Sequence, residues 1–350
     1  MTMKTISIKS NKPNGKESKI LIEESMERIL KLIGHSSSII AIIDKNVNQL
    51  YPELMADSPK IFIHAEESNK TLDTVGDIYE KLIKLGADRH VFLLGVGGGI
   101  VCDIVGYVAS TYMRGVRFGF IATTLMAQVD AAIGGKNGVN VHRYKNMVGT
   151  FNLPEFVCCD LSMLATLPTH EINTGFAEII KYGLIENPSI LDFIEENINN
   201  ISILNYDVYK QLIEQCVMIK AGIVNADLQD KGVRRILNFG HTLAHAIEKH
   251  TSLYNHGEAV SIGIVASLMV SYKKGHITTN EIDRVKRLLQ HFNLPIEMEP
   301  KLLKSAIEEI VMDKKRNQDS IDFIILTKIG HAQIFPIAIG ELKPLLLSSL

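Results

Sequence analysis

Cysteine is sparse in this 350-residue chain, with four residues, Cys102, Cys158, Cys159 and Cys216. None forms a C-x-x-C pair, and neighbouring Cys158 and Cys159 would be strained as a mutual disulfide. Reduced, buried thiols in a cytoplasmic protein are therefore expected. Neither sign of charge dominates: 37 Lys and Arg against 39 Asp and Glu leave a formal charge of −2. That balance gives no electrostatic case for nucleic acid or an anionic membrane surface as partner. No apolar run reaches the roughly 18 residues of a membrane span. The opening stretch, MTMKTISIKSNKPNGK, lacks the apolar core of a signal peptide and contains no Arg, so it is a poor transit peptide. Internal repeats and low-complexity segments are also missing.

What is present is ordinary for a soluble globular protein: 46% hydrophobic and 22% charged residues, in a chain long enough for two cores. The first half alternates short apolar runs with amphipathic stretches. Ser38–Ile43, Lys60–Ile63, His90–Leu94 and Phe118–Ala122 read as strands, and Thr71–Leu85 and Ile100–Met113 as helices. This alternation predicts a parallel sheet covered by helices. After about Leu161 the pattern turns helical: Thr169–Ile185, Ser189–Asn197, Tyr206–Val224, Val233–His250, Glu258–Tyr272, Asn280–His291 and Lys301–Asp313. Only Ile321–Leu326 and Ala332–Phe335 look extended there, as a hairpin. The expected architecture is an α/β half followed by a mostly α half, with a ligand cleft between them.

Chemistry concentrates in Arg234–Glu258, which holds four of the twelve histidines: His241, His245, His250 and His256. On a continuous helix Arg234, Asn238, His241 and His245 fall within roughly a 60° arc, a polar stripe on a buried-looking element. Such a row needs a ligand, a metal or other side chains as partners. Glu178 and Lys181, three apart on a helix, are either a surface pair or a metal-binding carboxylate beside a cation. His241, His245, His256, Glu258 and Glu178 are all candidate ligands by spacing, and spacing does not choose among them. A zincin is excluded because Thr242 stands where H-E-x-x-H requires Glu. Gly95-Val96-Gly97-Gly98-Gly99, ahead of Asp103, is a strand-to-helix turn suited to a pyrophosphate, although Ile100 breaks the G-x-G-x-x-G spacing. Gly134-Gly135-Lys136-Asn137-Gly138 is not a P-loop, since Asn137 replaces the magnesium-binding hydroxyl. As a glycine-rich loop it still offers Lys136, with Asp130 just upstream, to a phosphoryl group.

Taken together these residues resemble the 3-dehydroquinate synthase family of the sugar-phosphate cyclase superfamily. The likeness runs through GGGIVCDIVGYVASTYMRG at 97–115, TTLMAQVDAAIGGKNGVN at 123–140, KNMVG at 145–149 and TLP at 166–168. It continues through GFAEIIKYG at 175–183, RRILNFGHTLAHAIE at 234–248 and HGEAVSIG at 256–263. The resemblance implies a Rossmann-like NAD-binding α/β domain over residues 1–165, a mostly helical metal- and substrate-binding domain over residues 166–350, and a homodimer. It implies Glu178, His241 and His256 as ligands of Zn²⁺ or Co²⁺, leaving His245 for substrate. For NAD it implies Asp44, Glu67, Lys70, Gly98, Gly99, Asp103, Thr123, Thr124, Lys136, Lys145 and Thr166. For a sugar-phosphate substrate it implies Asp130, Lys136, Asn146, Lys181, Lys220, Arg234, Asn238, His245 and one of Lys314 or Lys315, with Arg114 reaching the neighbouring subunit's site.

The implied reaction converts 3-deoxy-D-arabino-heptulosonate 7-phosphate to 3-dehydroquinate and phosphate, in the shikimate pathway. It proceeds by transient NAD-dependent oxidation, β-elimination of phosphate, re-reduction and intramolecular aldol closure. Amino-dehydroquinate synthase, other sugar-phosphate cyclases and, more distantly, a metal-dependent polyol dehydrogenase are the alternatives. The chain departs from the family pattern at Cys102 and Ala244, where Gly is common, and at Glu66, Asn152, Leu153, Leu228 and Asp230.

Overall fold

The computed structural model describes residues 5–9, 17–23, 26–34, 38–142, 144–314 and 320–347. Chain contacts divide it into two compact units, Met1–Pro168 with Leu204–Gln229, and Thr169–Ile203 with Asp230–Leu350.

The apolar runs of the first unit become strands β1 (Thr5–Lys9), β2 (Glu17–Ile22), β3 (Ile39–Asp44), β4 (Lys60–Ile63), β5 (Phe92–Gly97), β6 (Arg117–Ala122) and β9 (Phe156–Cys159). They form one sheet in the order β1-β2-β9-β6-β5-β3-β4, parallel throughout except for the antiparallel β1–β2 pair. A parallel sheet must be covered on both faces, which is why β5 and β9 are buried at every position. Alternate residues Ala41 and Ile43, Phe92, Leu94 and Val96, and Phe156 and Cys158 build one face's core with Ile29 and Ile33 of helix α1 (Met26–Ile33). Helix α2 is Lys45–Leu50, α3 is Leu72–Lys84 and α4 is Gly99–Thr111. Strands β7 (Lys136–Val141) and β8 (Tyr144–Phe151) make a separate antiparallel hairpin. Helix α8 (Tyr206–Ala226) lies among helices in sequence but groups with this unit, where Asn225 bonds both Lys9 N, at 2.8 Å, and Ser7 O, at 3.1 Å.

The second unit is helical, as the change of pattern predicts: α5 (Thr169–Ile185), α6 (Ser189–Glu196), α7 (Ile198–Ser202), α9 (His241–His250), α10 (His256–Lys273), α11 (Thr279–His291), α12 (Pro300–Lys314) and α13 (Ile339–Leu347). The expected hairpin is β10 (Ser320–Lys328) paired with β11 (His331–Ala338). Helix α5 is buried on nearly all sides, with Phe176 stacked on Phe292. Among the described residues no helix is long and apolar enough to cross a membrane.

One expectation is corrected. Val233–His250 is not a continuous helix: Val233–Asn238 is a 3₁₀ turn, Phe239-Gly240 breaks the chain, and α9 starts afresh at His241. Gly240 has φ +81°, and a Cβ there would approach Ile264 N to 2.9 Å. A left-handed residue cannot continue a right-handed helix, so the single polar stripe through Arg234, Asn238, His241 and His245 does not exist.

Candidate active site

In the helical unit three separate segments bring one carboxylate and two imidazoles together. Glu178 lies in the middle of α5, wholly buried, and Lys181 one turn on is 1% exposed, which removes the surface-pair reading. Lys181 Nζ pairs with Glu178 Oε2. His241 opens α9, and its Nε2 is 3.3 Å from Glu178 Oε1. His256 opens α10, and its Nε2 is also 3.3 Å from Glu178 Oε1. Burial alone would raise the Glu178 carboxyl, but the Lys181 ammonium and the hydrogen bonds from His241 and His256 hold it well below the usual carboxylate range.

Close helix packing makes this convergence possible. A Cβ on Gly257 would come within 2.5 Å of Thr174 O on α5, and one on Gly263 within 2.0 Å of Gly240 O. The glycines of HGEAVSIG thus let α10 lie directly against α5 and against the break before α9. The far ring nitrogens are also engaged: His241 Nδ1 is 3.1 Å from Phe239 O, and His256 Nδ1 is 3.3 Å from Glu248 Oε1. Each ring therefore turns Nε2 toward Glu178, and one ligand atom from each of Glu178, His241 and His256 lies within 4.8 Å of the others. A carboxylate with two imidazole nitrogens is a donor set that fits zinc or cobalt and leaves positions open.

The remaining candidates of this unit separate from that cluster. Glu258 closes a capping box with Asn255, at 2.8 and 3.0 Å, and is occupied in starting α10. His250 is exposed at the end of α9, and His245 is exposed one turn after His241, with ring centroids 5.4 Å apart. Arg234 is 2% exposed on the 3₁₀ turn and Asn238 partly exposed. Ala244 is fully buried. Lys314 is the last residue of α12, and Lys315 lies outside the described residues.

In the α/β unit the nucleotide candidates gather at the carboxyl ends of β3, β5 and β6. Gly98 caps α4 without any side-chain cap bond, so the first amide groups of that helix keep their donors for an anionic group. Thr123 and Thr124 follow β6, and Thr123 N bonds Gly97 O at 3.0 Å. Asp44 ends β3 and accepts from Asn46 N at 3.1 Å; burial raises its carboxyl, opposed by bonds from Asn46 and Ala65 and by His64. Thr166 bonds the Tyr51 hydroxyl at 2.8 Å.

A polar network joins the remaining members. Lys70 Nζ reaches Asp103 Oδ2 at 2.5 Å and Asn146 Oδ1 at 2.6 Å. Burial raises the Asp103 carboxyl, with Lys70 acting against it. Lys145 Nζ lies 3.6 Å from Glu67 Oε1. Asn140, which sequence reading passed over, holds three of these residues: its Nδ2 donates to Glu67 Oε1 at 2.8 Å, its main-chain N to Lys70 O at 2.7 Å, and its Oδ1 accepts from Asn146 N at 2.9 Å. Asn146 has φ +52°, a strained conformation that this bond supports. Lys136 is exposed at the start of β7, a strand where a loop was expected, and Asn137 buries its amide against Gly135 O and Asn152 O at 3.0 and 2.9 Å. Lys220 of α8 pairs with Asp130, 2.8 Å to Oδ1 and 2.6 Å to the carbonyl. Arg114 is exposed where Met113, Arg114 and Gly115 all have positive φ.

The α/β unit and the helical unit with its Glu-His-His cluster place the chain, by the solved structures it resembles, in the class of sugar-phosphate cyclases. The chain is similar to 2-epi-5-epi-valiolone synthase from Streptomyces hygroscopicus subsp. jinggangensis, solved with NAD⁺ and Zn²⁺ bound, with a TM-score of 0.84 and 27% identity over 94% of this chain and 95% of that one. It is similar to 2-deoxy-scyllo-inosose synthase complexed with carbaglucose-6-phosphate, NAD⁺ and Co²⁺, with a TM-score of 0.84 and 25% identity over 100% of both chains. Sequence narrows the class. The chain is 38% identical over 333 residues to the 3-dehydroquinate synthase of Thermoanaerobacter pseudethanolicus, covering 92% of this chain and 94% of that protein. Family models described as 3-dehydroquinate synthase N-terminal and C-terminal match residues 60–174 and 175–316. The chain belongs to the 3-dehydroquinate synthase family.

Proposed function

We propose that this protein is a carbon–oxygen lyase that converts 3-deoxy-D-arabino-heptulosonate 7-phosphate to 3-dehydroquinate and phosphate. The observation that carries the reading is the buried Glu178 carboxylate shared by His241 and His256, in a chain whose relatives along nearly its full length are 3-dehydroquinate synthases. When bound, NAD⁺ supplies a hydride acceptor and a divalent cation supplies Lewis acidity at the substrate oxygen. Glu178, His241 and His256 would hold the cation, and the amide groups at the start of α4, with Asp44, Glu67, Lys70, Asp103, Thr123, Thr124, Lys145 and Thr166, would hold the dinucleotide.

The other groups answer the charges of the substrate. Arg234, a planar guanidinium, suits its carboxylate in a bidentate mode, and Lys220 adds a point charge held by Asp130. Lys136, Asn146, Asn238, His245 and Arg114 suit the phosphate. Lys181, buried against Glu178, keeps that carboxylate ionised and ready to bind a cation. With a hydride taken up and later returned there would be no net redox change, and the groups that face the phosphate would hold it for departure by β-elimination. Arg114 acting across subunits goes with a homodimer, and four buried cysteines held as thiols rather than disulfides suit a cytoplasmic protein.

With NAD⁺ and Zn²⁺ or Co²⁺, the purified protein is expected to release phosphate from the heptulosonate phosphate with no lasting absorbance from NADH. Stoichiometric, persistent NADH would instead identify a polyol dehydrogenase and overturn the proposal.

A further inference from the structure

The two histidines of the Glu-His-His cluster are held in different ways. His241 Nδ1 meets the main-chain carbonyl of Phe239 at 3.1 Å, a neutral acceptor fixed by the backbone break at Gly240. His256 Nδ1 meets the carboxylate of Glu248 at 3.3 Å. The Glu248 side chain is 4% exposed, on the same α9 helix as His241 and seven residues later, which places it on the His241 face. His256 is the first residue of α10, where no preceding turn restrains its ring, and 38% of its side chain is exposed.

We infer that Glu248 is a positioning residue that sets the orientation and tautomer of His256 as a metal ligand; this rests on the metal reading given above. An ionised carboxylate only accepts hydrogen bonds, so with a cation bound His256 would keep its proton on Nδ1 toward Glu248. It would then give the cation the Nε2 lone pair, in place of the contact that Nε2 makes with Glu178. The charge makes the imidazole a stronger donor than a carbonyl partner would. It also leaves the two carboxylates Glu178 and Glu248 balancing a dication. The ion pair of Lys249 with Glu309 of α12, at 2.5 Å, anchors the end of α9 from which Glu248 projects.

The test uses the full chain stripped of metal with a chelator, then titrated with Zn²⁺ against a competing dye and with Co²⁺ by its visible absorption. Glu248→Ala should weaken binding about 10- to 100-fold. Glu248→Gln, which keeps an accepting oxygen without the charge, should lie between Ala and the parent, with altered Co²⁺ bands. NAD⁺ affinity and the far-ultraviolet circular dichroism of the metal-free protein should stay unchanged in both. Metal affinity within twofold of the parent in a folded Glu248→Ala protein overturns the proposal. If that variant does not fold, Glu248→Gln decides by the same twofold limit. His256→Ala is the control: unchanged metal affinity there would overturn the metal reading itself, whereas loss there with none at Glu248 defeats only the positioning role.

Discussion

The two units build their sites in opposite ways. In the helical unit three candidate ligands from α5, α9 and α10 converge because glycines remove the side chains that would hold those helices apart. In the α/β unit the candidate residues hang on strand ends and one hairpin, and side-chain hydrogen bonds through Lys70 and Asn140 assemble them. The first design is set by backbone packing and tolerates little change. The second is set by a polar network that loses its members one at a time, so substitutions should be abrupt in one unit and graded in the other.

The largest expected effect is at the cluster itself. His256→Ala should reduce metal affinity at least about 100-fold, whereas His245→Ala, outside the cluster, should change it by less than about fivefold. Metal analysis in the opposite order would break the division of roles. Next comes Gly240→Ala, which adds left-handed strain and a close contact with Ile264 N. It should cost about 2–3 kcal/mol in denaturant unfolding and weaken metal binding as well. A variant with parental stability would show that the break is not what fixes His241.

Asn140→Ala should act more mildly. Losing its side-chain bonds to Glu67 and Asn146 should weaken NAD⁺ binding by about 1–2 kcal/mol, roughly tenfold, with metal affinity untouched. A change in metal affinity would break the division of labour between the dinucleotide residues and the metal cluster. The smallest effect concerns pH. Burial raises the Asp44 carboxyl, so this acceptor is lost as pH falls at a higher pH than for an exposed aspartate. NAD⁺ affinity should decline correspondingly as pH falls, and Asp44→Asn should flatten the decline; an unflattened profile would remove Asp44 from the dinucleotide site.

Legibility in the sequence followed the strength of the local signal. Strands such as Lys60–Ile63 and helices such as α3, with Thr71 as its cap, declare themselves through period and boundary residues. The hairpin of β7 and β8 does not, because its glycines, asparagines and lysines carry no period-two apolar pattern. The helical wheel drawn through Val233–His250 failed because a single glycine with positive φ interrupts it. Within α9 the wheel held, and Glu248, seven residues after His241, was available to it. Asn140 had no such signal, since its three partners come from segments far apart in the sequence.

By itself the sequence determined the α/β-then-helical order, the family and the residue types the chemistry needs, because these are carried by local period and by ordered motifs. Tertiary structure decided which of five candidate ligands converge. Spacing along the chain ranks Glu258 beside His256, but three-dimensional packing assigns Glu258 to a helix cap and brings Glu178, seventy-eight residues away from His256, to 3.3 Å. Coordination depends on distances of a few ångströms, and those are fixed by how closely helices approach, which no single element specifies.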